Sequence, residues 1–442
     1  MSDVCRRPDG SESSRPVSRR FFLGTALAVT ATTWAAPRAK ARSLRAHEKL
    51  NIGVVGTANR GAANINGVQS ENIVAICDVD SRYLAQAQER FPKAKAYRDF
   101  RKLLEQHDLD AIVVSTTDHT HASPSAIALN LGKHVYCEKP LTHSVHEART
   151  LATLAKAHPE LATQMGTQIH AGANYRRVVE LIRAGAIGTI KEVHTWVAKS
   201  WGGDHRPQGE AVVPDYLDWD LWLGPAPQTA FNPGYHPAEW RRYWAFGNGS
   251  LGDMGCHHID LPFWALDLTA PTTITADGPP VDPEVAPNHL QVRYEFPAVG
   301  DRPALSLTWY DGGLRPALLK QPGMPRWGDG NLFVGDKGML LADYSDHRLL
   351  PEADFREFQP PEPTIPDSIG HYNEWIEACK TGRPTTCNFV YSGNLTETVL
   401  LGTVAYRCGQ TLEWDPIGLR APNCSKAEEF LRRDYRAGWT LG

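Results

Sequence analysis

The chain has 442 residues, about three times the usual length of one domain, so its length predicts two folded domains. Hydrophobic residues make up 42% and charged residues 22%, which excludes a disordered chain, a collagen-like repeat and a polytopic membrane protein. The 46 Lys and Arg residues face 50 Asp and Glu residues, giving a net charge of −4. Without a basic surplus, nucleic acid is not expected as a partner.

The first 41 residues have the pattern of an export signal. Arg19 and Arg20 form a twin-arginine pair that leads into the apolar stretch Phe21–Ala36, and Ala39–Ala41 offers a cleavage site. The apolar stretch is shorter than the roughly 20 residues of a membrane span, and no cysteine for a lipid anchor follows it. We predict a twin-arginine signal peptide at residues 1–41. The mature protein is then periplasmic or otherwise exported, without stable membrane insertion.

Eight cysteines are scattered along the chain without a C-x-x-C pair. This spacing gives neither a zinc-ligand pattern nor a disulfide framework, and no metal site is predicted. We expect these residues to be small buried side chains.

The segment after residue 48 begins with the pattern of a dinucleotide-binding turn. Leu50–Val55 predicts a buried strand, and Gly56, Ala58 and Gly61 then form a G-x-G/A-x-x-G turn ahead of a helix. Small residues at these positions let backbone N–H groups and the helix N-terminus approach a pyrophosphate. The motif is weak by itself, so its context decides its meaning.

An acidic residue follows at the spacing that such a turn requires. Asn72–Cys77 predicts a second strand, and Asp78 ends it 22 residues beyond Gly56. A carboxylate there accepts hydrogen bonds from the adenosine ribose. Because Asp78 would repel a 2′-phosphate and neither Lys nor Arg follows directly, NAD is favoured over NADP.

Strands and helices continue to alternate up to residue 137, which predicts a doubly wound parallel sheet. Polar residues follow the strands at the carboxyl edge, where such sheets bind ligands. The predicted helices cover residues 85–91, 100–106 and 124–131, and the predicted strands cover residues 111–115 and 134–137.

Several motifs together resemble the Gfo/Idh/MocA oxidoreductases. They are T-T-D-H-T-H at residues 116–121, E-K-P at 138–140, W-x-x-W-L-G-P at 219–225, Trp240-Arg241, and the glycine-rich segment from Gly249 that leads to D-x-x-x-H at 253–257. The resemblance covers about residues 48–415. It implies an α/β fold with a Rossmann domain at 48–165, a C-terminal α/β domain at 166–415 with an open, mostly antiparallel sheet, and a tail at 416–442. It also implies a homodimer or homotetramer.

The resemblance implies hydride exchange between NAD and a hydroxyl carbon of a sugar or polyol. Lys139, Asp253 and His257 are the catalytic candidates. Positions i and i+4 share one helix face, so we expect Asp253 either to orient His257 or to bind the sugar. An imidazole with a pKa of about 6.5 accepts an alcohol proton near neutral pH, while Lys139 stabilises the developing alkoxide. Pro262 should kink or end this helix, and Gly255 should let it approach the cofactor closely.

Further contacts are predicted from the same motifs. Cofactor contacts are expected at Gly56, Ala58, Asn59, Arg60, Gly61, Asp78, Ser115, Thr116, Thr117, His121, Glu138, Lys139 and Gln168. Substrate contacts are expected at Lys139, His170, Tyr175, Trp240, Arg241, Asp253 and His257.

The C-terminal half is rich in aromatic residues: seven of the 13 tryptophans lie between Trp196 and Trp264. A long loop at 199–250 is expected to lie over the cleft, because loops of this length are usually functional. It adds Trp201, His205, Arg206, Tyr235 and His236 as substrate candidates. Amphipathic helices are predicted at 175–184, 368–380 and 394–409, strands at 190–198, 290–296, 304–310, 330–334 and 339–343, and a frayed tail or oligomer arm after Leu419.

Three functions stay open at this point. The first is an exported NAD-dependent oxidoreductase. The second is a glycoside hydrolase that keeps NAD bound and cleaves by oxidation, elimination, hydration and reduction; a resident cofactor also suits electron exchange between two sugars. The third is a non-catalytic sugar-binding protein. The intact lysine of E-K-P favours the first.

Overall fold

The computed structural model describes residues 48–442, so the predicted export signal at residues 1–41 lies outside the described part. The N-terminal half of that part is a regular alternation of strands and helices. Its elements are β1 (Asn51–Val55), α1 (Arg60–Val68), β2 (Asn72–Cys77), α2 (Ser81–Arg90), β3 (Lys95–Tyr97), α3 (Phe100–Leu104), β4 (Ala111–Val114), α4 (Ala122–Asn130), β5 (His134–Cys137), α5 (Val145–Ala157) and β6 (Thr163–Met165).

The six strands form one parallel sheet in the order β3-β2-β1-β4-β5-β6, which confirms the predicted doubly wound fold. The middle strand β4 is completely buried, as expected for an apolar strand covered by helices on both faces. The helix α5 was not predicted. The sequence nevertheless contains a helix-start signal for α5: Ser144 and Glu147 form a reciprocal capping box at its first turn.

A second, mixed sheet follows, built from strands that are mostly antiparallel. The elements of this half are α6 (Ala173–Arg183), β7 (Ile190–Trp196), α7 (Trp219–Leu223), α8 (Gly249–His258), α9 (Asp260–Ala265), β8 (Thr273–Asp277), β9 (Gln291–Phe296), β10 (Leu305–Tyr310), β11 (Gly330–Gly335), β12 (Gly338–Ala342), β13 (His347–Leu350), α10 (His371–Thr381), α11 (Phe389–Cys408), β14 (Leu412–Glu413) and α12 (Glu428–Leu431).

The eight strands of this sheet run in the order β13-β12-β11-β7-β10-β9-β8-β14. Only the pair β7 and β10 is parallel, so the prediction of a mostly antiparallel sheet is confirmed. The short strands β8, β13 and β14 were not predicted, because such strands carry little periodicity. The homodimer or homotetramer stays a prediction, as do the domain boundaries.

Two C-terminal helices join the halves through the core. Trp375 of α10 is buried against Tyr136 of β5, with ring centroids 5.8 Å apart. The helix α11 packs along α5 and α8 and is buried on nearly all sides. The prediction of an amphipathic helix was therefore wrong for α11, since neighbouring elements cover the face that would meet solvent in a surface helix.

The chain after Leu419 is folded onto the rest of the protein. It contains α12, and Trp439 near the C-terminus is only 8% exposed. The expectation of a frayed tail is therefore wrong for this segment, whereas the arm toward another subunit stays a prediction.

Three further observations concern residues 48–442. The seven cysteines there are free thiols, six of them buried and Cys408 half-buried, as expected from their spacing. Within this range, no group of three or more His, Cys, Asp or Glu side chains is placed to hold a metal ion. No helix in the same range is both long and apolar enough to cross a membrane.

Candidate active site

The turn after β1 is shaped by two glycines. Gly56 has φ +87°, and a Cβ atom on it would lie 2.5 Å from the Ser115 carbonyl oxygen. A Cβ on Gly61 would lie 2.1 Å from the carbonyl oxygen of Gly56. Both distances are far inside van der Waals contact, so only glycine permits β1, α1 and the end of β4 to approach this closely. These contacts explain why the turn after β1 carries glycine at both positions.

Asp78 lies at the carboxyl end of β2 and fixes the same turn. Its Oδ2 accepts hydrogen bonds from the backbone N–H (2.9 Å) and the hydroxyl (3.0 Å) of Thr57. Its Oδ1 accepts a hydrogen bond from the backbone N–H of Asp80 at 3.0 Å. Burial raises the pKa of Asp78, although these hydrogen bonds act in the opposite direction.

These residues line a groove along the carboxyl edge of the first sheet. The groove has a volume of about 230 Å³. Its walls include the predicted cofactor contacts Gly56, Ala58, Asn59, Arg60, Asp78, Ser115, Thr116 and Thr117, together with Trp240 and Arg241. Gly61 does not line the groove and acts through its contact with Gly56.

A second cavity of about 530 Å³ adjoins the groove, and we call it the charged cavity. Arg60, Ser115, Thr116, Trp240 and Arg241 line both spaces, so the two are parts of one cleft. The charged cavity is also lined by Asp118, His121, Glu138, Lys139, Gln168, Ile169, Lys199, Asp253, Met254, His257 and Tyr344.

Asp253 is the centre of the charge network in this cavity. Its Oδ1 accepts hydrogen bonds from Lys139 Nζ (2.7 Å) and Arg241 Nε (3.2 Å). Its Oδ2 lies 2.8 Å from Lys199 Nζ and accepts a 2.6 Å hydrogen bond from the Trp201 indole N–H. Burial alone would raise the pKa of Asp253, but the charges of Lys139, Arg241 and Lys199 outweigh it and hold the pKa well below its usual range.

Lys139 is held both at its ammonium group and at its backbone. Its Nζ also donates to the backbone carbonyl of Asp253 at 2.7 Å, and its own backbone N–H contacts Glu138 Oε2 at 3.3 Å. Glu138 is buried, and its Oε1 accepts hydrogen bonds from Asn64 (3.1 Å) and Gln168 (2.8 Å). Burial raises the pKa of Glu138. These contacts fix the position of the lysine in the wall of the charged cavity.

His257 lies in the same cavity as Asp253, but the two side chains do not form the expected pair. The Asp253 carboxylate binds two lysines and an arginine, which compete better for it than an uncharged imidazole. Within residues 48–442 neither His257 nitrogen makes a hydrogen bond, and Nδ1 is buried. Burial, followed by the charge of Lys139, holds the pKa of His257 well below its usual range, so the ring is neutral at neutral pH.

His121 reaches the charged cavity with both ring nitrogens already engaged. Nδ1 lies 2.7 Å from the Pro140 carbonyl and Nε2 lies 3.1 Å from the Thr116 carbonyl. Burial lowers the pKa of His121 to about 4. Its predicted cofactor contact is therefore restricted to the ring carbons, and the imidazole instead connects the two loops that carry Thr116 and Lys139.

Two predicted substrate residues lie away from both spaces. His170 is 1% exposed, and its Nδ1 contacts Asp260 Oδ2 at 2.9 Å. Tyr175 is completely buried and donates a 3.1 Å hydrogen bond to the His257 carbonyl. The chain around α6 turns these side chains toward α8 and α9 rather than into the cleft, so they support the helix that carries His257 and do not line the site.

The long loop at residues 199–250 contributes fewer side chains to the cleft than expected. Trp240 and His236 line the groove, and Trp201 reaches Asp253. His205 lines neither space. Tyr235 is 2% exposed in an aromatic cluster, where its hydroxyl accepts a 2.5 Å hydrogen bond from Arg206. Burial in this cluster withdraws Tyr235 from the cleft, and Arg206, which is paired with Glu284, lines neither space.

Two charged residues of the cavity were not identified from the sequence. Asp118, within the T-T-D-H-T-H motif, is 4% exposed, and burial raises its pKa to about 7. Its position within this motif could have identified Asp118 as a residue of the site. Lys199 follows β7 in the loop and had no local signal, because its role depends on the distant Asp253.

The helix that carries D-x-x-x-H ends where it was expected to end, but its Gly255 has a different role from the expected one. The helix α8 ends at His258 and α9 contains Pro262, so the proline terminates the helix as predicted. A Cβ on Gly255 would lie 2.9 Å from Val399 Cγ1 of α11. Gly255 therefore permits close packing of two helices and does not approach the cleft.

A glycine turn at the carboxyl edge of a doubly wound sheet, next to a charged cavity, is the arrangement of a dinucleotide-binding α/β protein. The chain belongs to the Gfo/Idh/MocA oxidoreductase family. Residues 50–166 match its NAD-binding Rossmann-fold domain, and residues 180–301 match its C-terminal alpha/beta domain.

Named proteins with similar sequences include dehydrogenases. The inositol 2-dehydrogenase of Salmonella typhimurium is 26% identical over 172 residues, which cover 38% of this chain and 48% of that protein. The levoglucosan dehydrogenase of Pseudarthrobacter phenanthrenivorans is 24% identical over 233 residues, covering 48% of this chain and 50% of that protein. The chain thus spans about half the length of the curated relatives it matches.

A solved structure supports the fold. The WlbA dehydrogenase from Chromobactrium violaceum, determined in complex with NADH and UDP-GlcNAcA, aligns with a TM-score of 0.61. The alignment covers 85% of this chain and 99% of that one at 16% identity, so the likeness concerns the fold alone.

Proposed function

We propose that this protein is an NAD-dependent oxidoreductase that transfers hydride between the nicotinamide and a hydroxyl carbon of a sugar or polyol. The observation that carries the proposal is the arrangement of Lys139, Asp253 and neutral His257 in a cavity that shares a wall with the groove. The inositol and levoglucosan dehydrogenases among its relatives support this substrate class.

The groove fits a dinucleotide. The Asn59 side chain makes no capping hydrogen bond at the start of α1, so the N-terminus of this helix is left to a pyrophosphate. Asp78 lines the groove, with its two oxygens in position to accept ribose hydroxyls as well as their backbone partners. When bound, NAD supplies the acceptor for the substrate's hydride.

Oxidation of an alcohol carbon also releases the hydroxyl proton, and His257 is the side chain available to take it. Its ring is neutral and free of hydrogen bonds within residues 48–442, so a nitrogen lone pair is available. Burial and the charge of Lys139 disfavour the protonated ring, so His257 is in the form that accepts a proton at neutral pH.

Lys139 stabilises the negative charge that develops on the substrate oxygen. Asp253 holds the ammonium group through two contacts of 2.7 Å, so little reorganisation is needed during the reaction. The cavity wall carries four cations (Arg60, Lys139, Lys199, Arg241) and three carboxyl groups (Asp118, Glu138, Asp253), two of which have raised pKa values. This balance stabilises negative charge as it develops on the substrate oxygen.

A substrate panel distinguishes the proposed function from its alternatives. The purified protein is mixed with NAD and with sugars and polyols, including myo-inositol and levoglucosan, while absorbance at 340 nm is recorded. Accumulation of NADH with a free polyol supports the oxidoreductase. Cleavage of a glycoside without net NADH supports the hydrolase instead, and binding without either supports a sugar-binding protein.

Export rests on the sequence of residues 1–41 alone, and we propose it as the localisation. The supporting feature is the Arg19-Arg20 pair before the apolar stretch Phe21–Ala36. Replacement of both arginines by lysine should retain the protein in the cytoplasm of a host with the twin-arginine pathway. Equal periplasmic recovery of the double variant and the wild type would contradict this proposal.

A further inference from the structure

The C-terminal end of the chain forms part of the groove wall. Trp439 lines the groove although it lies 361 residues from Asp78 in sequence. Its ring centroid is 5.8 Å from that of Phe100 at the start of α3, and both side chains are 8% exposed. The Arg101 guanidinium carbon lies 4.2 Å from the indole centroid. The indole is therefore a fixed part of the protein surface that faces the cleft.

The residues around Trp439 are tied to three separate elements of the fold. Arg436 donates from Nε to the Gly224 carbonyl (3.0 Å) and from Nη2 to the Asp220 carbonyl (2.7 Å), next to α7. Ser123 of α4 donates to the Thr440 carbonyl at 2.8 Å. Arg101 of α3 donates to the Gly438 carbonyl at 3.2 Å. The C-terminal segment thus bridges α7 to the helices α3 and α4.

A buried charge anchors the start of this segment. Glu147 in the first turn of α5 is 1% exposed, and its Oε1 accepts hydrogen bonds from Arg433 Nε (2.8 Å) and the Tyr435 hydroxyl (2.5 Å). Removing either donor would leave a buried carboxylate with fewer partners, which is costly. We call residues 433–442 the strap.

The position of Trp439 along the groove indicates which part of a bound dinucleotide it would contact. Asp78, Arg98, Asp99 and Phe100 line the groove together with Trp439, and none of these five lines the charged cavity. Lys139 and His257 line only the charged cavity. The indole therefore belongs to the end that carries the ribose-binding acid, away from the proposed chemistry.

We propose that the strap completes the adenosine end of the cofactor site, with Trp439 contacting the purine and slowing release of the dinucleotide. The inference rests on the NAD assignment made above. A purine is flat and apolar on its faces, and an indole is the side chain that contacts such a surface most strongly. A protein exported with its cofactor already bound would gain from slow release, because free NAD is scarce outside the cytoplasm.

The test compares rates of NAD release from the full-length protein. Trp439→Ala removes the ring, Trp439→Phe keeps an aromatic face, and Ile417→Ala changes a side chain that is 95% exposed and does not line the groove. Arg436→Ala loosens the strap without altering a groove residue. Each protein is loaded with NAD and diluted into excess competing ADP-ribose, and release is followed by protein fluorescence and by the NAD retained after gel filtration.

We expect release to be about tenfold faster for Trp439→Ala, the effect of losing one base–aromatic contact. Trp439→Phe and Ile417→Ala should stay within about twofold of the wild type, and Arg436→Ala should release faster than the wild type. Circular dichroism tests whether each variant is folded. If Trp439→Ala does not fold, Arg436→Ala alone decides the question.

Unchanged release from folded Trp439→Ala and Arg436→Ala would overturn the role of the strap. A wild-type protein that binds no NAD would overturn it as well. A protein that retains NAD through the strap yet oxidises no sugar or polyol would contradict only the proposed function. The two conclusions can therefore fail separately.

Discussion

The groove and the charged cavity adjoin each other but are built in different ways. The groove depends on backbone: Gly56 and Gly61 permit an approach that no Cβ would allow, and Asp78 binds two backbone N–H groups. The charged cavity depends on ionised side chains, with Asp253 surrounded by three cations from different parts of the chain. A local motif specifies the first, while the second exists only after distant segments have packed together.

Because the two spaces are built differently, they suit different tasks. Backbone contacts suit a large, constant ligand such as a dinucleotide, because they change little between substrates. Ionised side chains suit the reacting oxygen, since charge fixed in a partly buried site has a strong effect on a nearby alkoxide. Substitutions in the two spaces should therefore separate cofactor binding from chemistry.

The largest effect is expected for Lys139→Ala. Loss of the ammonium group removes the stabilisation of the alkoxide, and kcat should fall by about a thousandfold. The NAD dissociation constant should change by less than about threefold. Lys199→Ala is the matched control, because it also removes a lysine from Asp253 (2.8 Å) but one that is 43% exposed, and it should cost about tenfold. Equal losses in both variants would contradict a special role for Lys139.

His257→Gln tests the proton acceptor and should lower kcat by about a hundredfold. Because the pKa of His257 lies well below its usual range, wild-type activity should not fall as the pH decreases through 6.5 on account of this residue. The kcat–pH profile of the two proteins checks both statements. A wild-type inflection near pH 6.5 that vanishes in His257→Gln would show that the imidazole titrates normally.

Gly61→Ala disturbs the groove without touching the charged cavity. The added Cβ would lie 2.1 Å from the Gly56 carbonyl oxygen, so the free energy of unfolding should fall by about 2 kcal/mol or more and NAD affinity should fall with it. Gly328→Ala, where a Cβ would meet nothing within 4 Å, should stay within about 0.5 kcal/mol of the wild type. Urea unfolding and NAD titration measure the two effects. Normal NAD affinity in Gly61→Ala would weaken the account of the turn.

Asp118→Asn should have the smallest effect and a defined pH dependence. The folded pKa of about 7 exceeds the ordinary value of 3.8, so the folded state keeps a proton that the unfolded state loses between these values. The contribution of Asp118 to stability is therefore present at low pH and decreases as the pH rises through about 7. Relative to the wild type, Asp118→Asn should gain at least about 1 kcal/mol between pH 4 and pH 8. A constant stability difference would exclude the raised pKa.

The sequence allowed prediction of the parallel sheet, the mostly antiparallel sheet, the glycine turn and the residues Lys139, Asp253 and His257 as a set. These follow from short-range periodicity and motifs. The partners of Asp253 could not be predicted, because Lys199 and Trp201 lie more than 50 residues before it in sequence and reach it only in the folded chain. His170 and Tyr175 were misplaced for the same reason: their side-chain direction depends on how α6 packs. Trp439 had no local signal.

The most direct test of the central claim is to follow the hydrogen itself. The protein is incubated with NAD and perdeuterated sugars and polyols, and the NADH formed is analysed by mass spectrometry. The account predicts one deuterium per NADH, formed by the wild type and reduced about a thousandfold in Lys139→Ala. NADH without deuterium, or no NADH from any substrate while the protein holds NAD, would contradict direct hydride transfer at this site.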